Sequence, residues 1–523
     1  MLIYIVINLY LECFNIKQVS YKQLIIVYVL KIMTEKSVKG GEIIARLDRI
    51  PIWSLSYIFI GILGVGFLFT FFDIFDINVS FIQTAVTLFH VSGPSSPEIG
   101  ILLGPVVLLN LIGYIVGSLR LSPLSDRIGR RNMLMITMAI TGLGSLYNAL
   151  SNDYLNYLLA RIVTGIGVGA DLAIVNTYIG EVAPTNGRAK YTSLVFLFST
   201  LGAGLGLWLG LLLTTPPSPF PLGLPFALGG SGIFATDGWR VMYGIGALLA
   251  LIGLLLRLNL PESPRWLISR ERLSEAEKVV SEMEGRASRK LKSLPPLPSL
   301  IPPYVTDKIS YVESLKAVLL DKRYARRLAV LVPMWFFGYM TVYVLAAGLT
   351  TILASLGYPP PEAGIIASFG DIGFILCAVT IILAGDKLER SRWTVISVLF
   401  TVIGGIIIAL ARTNFPLSFL GSSVLFYGFN LWVPVSYAWS AESFPTRARA
   451  TGFALSDGLG HIGGGIGTVV IASLIASLVS SGVTTGLAIE VFLLIALFQI
   501  VSAVIAVSLG HKTTNRRLDE ISP

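Results

Sequence analysis

Three aspartates of this chain lie inside long apolar stretches, where a charged side chain is costly. Asp73 and Asp76 lie near the middle of the stretch 55–88, and Asp171 lies in the stretch 154–178. A charge at the centre of a bilayer costs at least ~2.5–3.5 kcal/mol, so such acids persist where they face a cavity, pair with a base or carry protons. Burial favours the neutral form of a carboxyl group, which suits reversible protonation. We therefore interpret Asp73, Asp76 and Asp171 as candidates for proton coupling.

Arg161 is a basic residue in the same apolar stretch as Asp171 and precedes it by ten residues, which is ~15 Å along a helix. Two roles stay open for this arginine, because its guanidinium could neutralise Asp171 or could bind an anionic solute. The alternative for each aspartate is structural, as a neutral or Arg161-paired carboxyl group. That alternative weighs most for Asp76 and for Asp371 and Asp457, which lie in other apolar stretches.

Charged motifs occur twice in the chain, at a nearly constant separation. The segments Glu181–Arg188 and Glu442–Arg449 both read E-x-x-P-T-x-x-R and are 442 − 181 = 261 residues apart. The segment Asp126–Arg131 returns in weaker form at 386–391, with 386 − 126 = 260. Glycines at 202, 204 and 206 likewise map onto glycines at 463, 465 and 467. Such a duplication in an apolar chain is typical of a secondary transporter built from two related halves.

The repeated motifs place opposite charges at the ends of symmetry-related helices, and we interpret them as a conformational latch. Their acids and bases could pair across the two halves when that side of the protein is closed. Exposed pairs contribute only ~0–1 kcal/mol each, but a network can bias two states that differ by ~2–3 kcal/mol. The alternative is local electrostatics at helix ends. The residues of this latch are Asp126, Arg127, Arg130, Arg131, Glu181, Arg188, Asp386, Arg390, Glu442 and Arg449.

The elements that position these residues must be membrane-spanning helices, because 54% of the 523 residues are hydrophobic and only 13% are charged. Apolar runs of ~20 residues, enough to span a bilayer, recur along the chain. The net charge of +9 comes from Lys and Arg in alternate loops, which argues against a nucleic-acid surface. By the positive-inside rule, the alternation places both termini in the cytoplasm. The two cysteines and three histidines are too dispersed for a disulfide framework or a metal site.

Hydropathy predicts twelve spans in two groups of six. They are expected at 55–88, 99–121, 132–150, 154–178, 190–213, 239–257, 327–353, 363–385, 393–411, 415–440, 450–479 and 485–509. The corresponding domains are a cytoplasmic segment 1–54, a bundle 55–257, a linker loop 258–326, a bundle 327–509 and a tail 510–523.

The loops and the N-terminus give three further expectations. Helical pieces are expected near 273–285 and 308–320 of the linker. The proline-rich loop 214–238 is expected to be extended and free of helix. Residues 1–32 read as an additional start before an initiator at Met33, with an interfacial helix as the alternative.

Four motifs together resemble the major facilitator superfamily, and within it the sugar-porter branch. The segment Ser122–Arg131 is similar to the loop signature G-x-x-x-D-R-x-G-R-R, with Ser122 in place of the first glycine. The segment Arg161–Arg188 is similar to the span-four signature, Pro261–Leu267 reads P-E-S-P-R-W-L, and Glu442–Gly452 is similar to the motif after span ten. The placement of Asp73 and Asp171 also resembles that of acids in the phosphate:proton and metabolite:proton symporter branches.

The resemblance implies an all-α membrane protein with twelve transmembrane helices in two pseudo-symmetric six-helix bundles. In that fold spans seven and ten line a central cavity, which makes solute-binding candidates of Arg161, Tyr339, Tyr343, Asn430, Trp432 and Tyr437. Polar-tipped aromatic residues suit small organic solutes, and the alternative is helix packing or an interfacial aromatic belt. The glutamines and asparagine that sugar porters carry in span seven are missing from Pro333–Tyr343, which speaks against a sugar.

The function expected from these features is secondary active transport of a small polar or anionic solute, such as a sugar, organic acid or phosphate, by alternating access with proton symport. The expected partners are the solute, protons and the lipid of a plasma membrane, around a monomer without cofactor, metal or nucleic acid. The sequence offers no grouping of residues for an enzyme. Two alternatives stay open: a proton-coupled exporter of amphiphiles, and a non-transporting nutrient sensor that signals through the 258–326 loop.

Overall fold

The computed structural model describes residues 36–94, 96, 98–184, 187–291, 293–301, 304, 311–411, 414–445, 448–480, 487–516 and 521–522. The predicted alternative start at Met33 lies outside these residues. The chain divides into a small compact unit, 1–50 with 264–308, and a large compact unit, 51–263 with 309–523.

The large unit is an all-α membrane protein of two six-helix bundles, here called the N-half and the C-half. The N-half consists of α1 (Tyr57–Thr87), α2 (Glu98–Val116), α3 (Arg130–Ala149), α4 (Tyr154–Val182), α5 (Arg188–Thr214) and α6 (Phe234–Arg257). The C-half consists of α7 (Lys322–Ser355), α8 (Pro360–Ala384), α9 (Arg390–Ala411), α10 (Phe415–Asn430 with Val433–Glu442), α11 (Leu459–Ser480) and α12 (Leu487–Leu509). We call the ends of the helices near Arg130 and Arg390 the basic side.

Eleven helices in the described part of the chain are long and apolar enough to cross a membrane. The predicted third span, α3, is a helix but is not among the eleven. It begins with Arg130-Arg131-Asn132 and ends near Asn148, and these polar residues lower its apolarity.

The repeated glycines mark the closest approaches between helices. A Cβ atom added to Gly202 or Gly206 of α5 would collide with the backbone of α1, at Leu68 and Phe72. The equivalent glycines of α11, at 463 and 467, lie in the same way against the α7 backbone at Phe336 and Met340. Small residues allow helices to pack closely in lipid. The duplicated glycines therefore give the two halves the same internal contact.

Two helices of the C-half are irregular near the protein's centre. The helix α10 is interrupted after Asn430 and resumes at Val433, with Pro434 in its first turn, where a missing N–H is tolerated. A π-helical turn, Ala454–Gly458, precedes α11. Such turns are frequent at functional sites, and this one carries Asp457.

The small unit holds a helix over 36–48 and the helices Pro264–Ser269 and Leu273–Lys290. Arg46 and Arg49 both bind the Glu284 carboxylate, at 2.6 and 2.5 Å. Burial alone would raise the pKa of Glu284, but the hydrogen bonds and charges of the two arginines bring it below its usual value. This ion cluster fixes the first helix against the third.

The expectations for the linker are confirmed, and the expectation of an extended, helix-free loop 214–238 is wrong for its last five residues. The predicted helical pieces of the linker are confirmed as Leu273–Lys290 and Tyr311–Leu319. The proline-rich loop contains turns but no helix over 215–233, and α6 begins at Phe234, five residues earlier than expected.

Candidate functional site

An arginine and two aspartates meet in the core of the N-half. The Nη1 atom of Arg161 donates to Oδ1 of Asp73 at 3.0 Å, and Nη2 reaches the Asp73 carbonyl oxygen at 3.4 Å. Asp76, one turn further along α1, is fully buried. Within the described part of the chain, neither Asp76 oxygen nor Asp73 Oδ2 accepts a hydrogen bond. One guanidinium thus faces two buried carboxyl groups.

Two tyrosines line the same arginine. The hydroxyl oxygens of Tyr157 and Tyr243 are 2.5 Å apart, and the Arg161 guanidinium carbon lies 5.9 Å from the centre of the Tyr243 ring. All three side chains are buried. The arginine is therefore enclosed by its own half of the molecule, where it neutralises Asp73.

Asp171 pairs with Arg257 and not with Arg161, the partner considered from the sequence. Its carboxylate pairs with the buried guanidinium of Arg257, whose Nη2 lies 2.8 Å from Oδ2. The hydroxyl of Thr137 also donates to Asp171 Oδ1, at 2.7 Å. The possibility that Arg161 neutralises Asp171 is wrong, because Arg161 pairs with Asp73 and Asp171 pairs with Arg257. These contacts favour a structural role for Asp171.

Four of the aromatic candidates meet in the C-half. The rings of Trp335 and Tyr339 are 4.8 Å apart, and those of Trp335 and Tyr437 are 5.3 Å apart. Trp432 lies 4.7 Å from Trp335 and 6.0 Å from Tyr339. Tyr343 lies 5.6 Å from Tyr339. We call Trp335, Tyr339, Tyr343, Trp432 and Tyr437 the aromatic cluster.

Two other solute-binding candidates lie outside this cluster. The amide of Asn430 donates to the carbonyl oxygen of Phe426 in its own helix, at 3.0 Å. Arg161 is held in the N-half by Asp73, as described above. The aromatic candidates therefore lie together, and polar groups that the sequence analysis did not assign to a solute site lie beside them.

Those polar groups are Asp457 and His461 of the C-half and Tyr114 of the N-half. The Asp457 carboxylate accepts hydrogen bonds from the hydroxyls of Tyr114 and Tyr339, both at 2.6 Å. The His461 ring lies between the rings of these tyrosines, with centroids 3.7 and 4.0 Å away. A signal was present in the sequence, because an acid and a histidine four residues apart share one helix face.

The acids of the predicted latch pair within each half rather than between the halves. Arg130 binds Glu181 at 2.9 Å and Asp126 at 2.7 Å. In the C-half, Arg390 binds Glu442 and Asp386, both at 3.0 Å. The duplicated motifs therefore form duplicated local networks, since each arginine starts a helix beside the acid-bearing end of its neighbour.

The remaining latch residues are placed as follows. Arg127 is exposed and Arg449 is buried. Arg131 uses its guanidinium to bind the carbonyl oxygen of Leu258. Arg188 begins α5, and its side chain lies outside the described residues.

Glu262 joins the N-half network. It accepts the backbone N–H groups of Arg130 and Ser263, each at 2.9 Å. Burial raises the pKa of Glu262 above its usual value, against the opposing effect of these bonds. Ser263 in turn donates to Glu181 at 2.5 Å.

The halves contact each other at three levels. On the basic side, the Lys190 N–H donates to Asp386 Oδ2 at 3.2 Å. In the middle, Tyr114 binds Asp457. Towards the other side, the Thr350 hydroxyl donates to Asn78 Oδ1, and the Asn78 amide donates to the Ala346 carbonyl oxygen, both at 2.6 Å. Contacts on both sides of the aromatic cluster enclose it.

Known proteins resemble this chain in sequence and in fold. The niacin transporter NiaP of Acinetobacter baylyi is 24% identical over 492 residues, which cover 92% of this chain and 99% of NiaP. The 4-hydroxybenzoate transporter PcaK of Pseudomonas aeruginosa is 27% identical over 374 residues, or 71% of this chain and 77% of PcaK. The proton:xylose symporter XylE of E. coli superposes with a TM-score of 0.67 at 20% identity, covering 90% of this chain and 99% of XylE.

The structural likeness to XylE supports the fold, and the family rests on the sequence. A model of the sugar (and other) transporter family matches residues 57–523, which include both six-helix bundles. The chain therefore belongs to the sugar (and other) transporter family of the major facilitator superfamily and is a membrane transporter, not an enzyme.

Proposed function

We propose that this protein is a proton symporter that carries a small ring-bearing polar solute, such as an organic acid, through the interface between its halves. The observation that carries the proposal is the burial of two carboxyl groups, Asp73 and Asp76, near the Arg161 guanidinium, which binds Asp73 and leaves Asp76 without a hydrogen-bond partner among the described residues. An ionised carboxylate without a partner is costly in a protein interior. The second carboxyl group is therefore buried at least cost when it holds a proton.

Asp76 is the better candidate for the proton-carrying group. Asp73 keeps its charge through the ion pair with Arg161, whereas Asp76 has no hydrogen-bond partner among the described residues. Ionised Asp76 needs water, which reaches it only when the interior opens. Proton binding and release are thereby tied to opening and closing of the N-half core.

The proposed class of solute follows from the aromatic cluster. Flat rings with polar edges pack well against the rings of Trp335, Tyr339 and Tyr437. NiaP and PcaK, which are named for niacin and 4-hydroxybenzoate, share about a quarter of their aligned residues with this chain. Both named solutes combine a planar ring with a carboxylate, which favours this class over phosphate.

The proposal also covers how the two halves move and how the protein is oriented in the membrane. The two halves rock about the central site, with the local networks of Arg130 and Arg390 holding the basic ends of each half. The basic side faces the cytoplasm of a cell whose plasma membrane holds the protein as a monomer, with both termini inside. The domain boundaries after 54, 257, 326 and 509 remain those predicted from the sequence.

The test is accumulation by purified protein in liposomes under an inward proton gradient. The solutes are hexoses, phosphate, aromatic acids and amino acids, each with and without the gradient. We expect gradient-driven accumulation of an aromatic acid, and we expect Asp76→Asn to abolish accumulation while solute exchange between the two sides continues. The asparagine mimics the protonated carboxyl group and cannot release a proton.

The control variant is Asp237→Asn, which alters a partly exposed aspartate that pairs with Arg240 in the first turn of α6, outside the Arg161 cluster. It is expected to accumulate solute like the unmodified protein. Gradient-driven accumulation by Asp76→Asn at the unmodified level rules out its proton role. Uptake that ignores the gradient in the unmodified protein rules out symport.

A further inference from the structure

The C-half holds the Tyr114 side chain with the contacts that a binding site makes to an aromatic ligand. The Tyr114 hydroxyl donates to Asp457 Oδ2 at 2.6 Å. Its ring lies nearly parallel to the His461 ring, at 20° and 3.7 Å between centroids. A hydrogen bond at the ring edge and stacking on the ring face are the two contacts that a site offers to a hydroxylated planar ring.

The C-half builds this site with buried side chains. Asp457 and His461 are 0% and 1% exposed. The Nδ1 atom of His461 lies 2.7 Å from the Asp457 carbonyl oxygen, which fixes the plane of the imidazole. Tyr339 donates to the other carboxylate oxygen at 2.6 Å and covers the second face of His461. The contacts among these three residues do not involve Tyr114.

Tyr114 is attached to the opposite half. Its backbone lies against Gly165 and Gly169 of α4, where an added Cβ atom would collide with it. Because α2 and α4 belong to the same bundle and their backbones touch at these glycines, we expect the Tyr114 ring to move with the N-half. Separation of the halves at this level removes the phenol from the site. Asp457 then loses one donor, and His461 loses one stacking partner.

We propose that Asp457, His461 and Tyr339 form a subsite for a planar ring bearing an O–H or N–H donor, and that Tyr114 is a built-in competitor that fills it when no solute is bound. This inference rests on the proposed function, in which the solute passes between the halves. A solute with a donor on its ring replaces the bond that Asp457 loses. A solute without one leaves a buried carboxylate short of a partner, which is costly.

The experiment is calorimetric binding of 4-hydroxybenzoate and benzoate to the full chain in detergent. The two probes differ only in the ring hydroxyl. We expect the unmodified protein to bind 4-hydroxybenzoate at least ~10-fold more tightly than benzoate, because a hydrogen bond to a charged group has about that effect. Tyr114→Phe weakens the competitor and is expected to tighten 4-hydroxybenzoate binding ~3–10-fold.

Two further variants complete the design. Asp457→Asn is expected to reduce the preference for the hydroxylated probe to within about twofold. Tyr147→Phe, which removes a hydroxyl bound to Asn156 Oδ1 at 2.8 Å in the N-half, is the matched control and should bind both probes like the unmodified protein. Tyr114→Phe keeps the test decisive if Asp457→Asn does not fold.

The outcomes separate this inference from the proposed function. Equal binding of both probes, or unchanged 4-hydroxybenzoate affinity in Tyr114→Phe, overturns the subsite even if proton-driven uptake is intact. The expected binding pattern without proton-driven uptake supports the subsite and overturns symport. Absence of binding and of uptake for both ring solutes overturns both.

Discussion

The buried ionic groups of the N-half separate into two kinds. Asp171 is paired with Arg257 and accepts a hydrogen bond from Thr137. Asp73 is paired with Arg161, whereas Asp76 has no hydrogen-bond partner among the described residues. All three aspartates are buried, so burial does not distinguish a structural role from a proton-carrying one. The number of charged and hydrogen-bonding partners of each carboxyl group does.

The Asp171–Arg257 pair gives a prediction for stability. Asp171→Asn leaves the Arg257 guanidinium buried with its countercharge removed, and breaking such a pair typically costs ~3–5 kcal/mol. We expect a clear fall in the unfolding temperature, measured in detergent by tryptophan fluorescence. The double variant Asp171→Leu/Arg257→Met replaces the pair with apolar groups and should recover most of the loss. An unfolding temperature unchanged in Asp171→Asn contradicts the pairing.

At the scale of elements, the segment after α12 docks on the C-half. Glu389 accepts the N–H groups of Thr513 and Thr514 at 3.1 and 3.3 Å. His511 lies 2.8 Å from the Ser443 hydroxyl, and its carbonyl oxygen accepts from the Trp439 indole at 3.1 Å. The docked segment therefore covers the basic ends of α9 and α10.

This docking is expected to depend on pH. Burial, followed by the positive charge of Arg327, lowers the pKa of His511 to about 3, against ~6.5 in an exposed chain. The undocked segment thus binds a proton between these values and the docked segment does not. The equilibrium constant for docking of the segment therefore falls as pH falls from ~6.5 towards 3, by up to ~10-fold per pH unit.

The measurement is amide hydrogen exchange of residues 511–516 at pH 7 and pH 5, corrected for the intrinsic exchange rate. We expect protection of Thr513 and Thr514 to fall at pH 5. His511→Asn cannot gain a charge, so its protection should be equal at both values. Equal protection in the unmodified protein contradicts the buried neutral histidine.

The sequence predicted the helices better than the side-chain contacts between them. Each of the twelve spans is a helix, and the repeated glycines lie at equivalent close contacts, because apolar runs and small residues act locally. The sequence left open which aspartate pairs with Arg161, since Asp73 is 88 residues away and packing determines which helices touch. Tyr114 and Asp457 are 343 residues apart, so their contact exists only in the folded bundles.

At the scale of the whole molecule, the contacts between the halves are closed on both sides of the centre. Lys190 binds Asp386 on the basic side, and Asn78 binds Thr350 on the other. One of these contacts must open for solute to enter and the other for it to leave. Both contacts are made in this structure, so the proposed cycle requires each of them to open in turn.

Joining Asn78 to Thr350 should stop that cycle. Their side-chain oxygens are 2.6 Å apart, so cysteines at both positions lie close enough to be joined under mild oxidant, directly or through a short reducible bis-methanethiosulfonate reagent. Solute exchange in liposomes should fall by at least ~10-fold, since opening at this contact then requires breaking a covalent bond, and a reductant should restore it. The single variant Asn78→Cys is the control. Full exchange by the oxidised double variant contradicts movement at this contact.

The three ionisable groups Arg161, Asp73 and Asp76 also determine where the membrane potential acts. With Asp76 protonated, Asp73 and Arg161 cancel and the core of the N-half is electrically neutral. With Asp76 ionised, the core carries one negative charge. Under the proposed symport, the loaded carrier is thus insensitive to voltage apart from the charge of its solute. The empty carrier returns as an anion, and an interior-negative potential drives that return outward with up to ~2.3 kcal/mol per 100 mV.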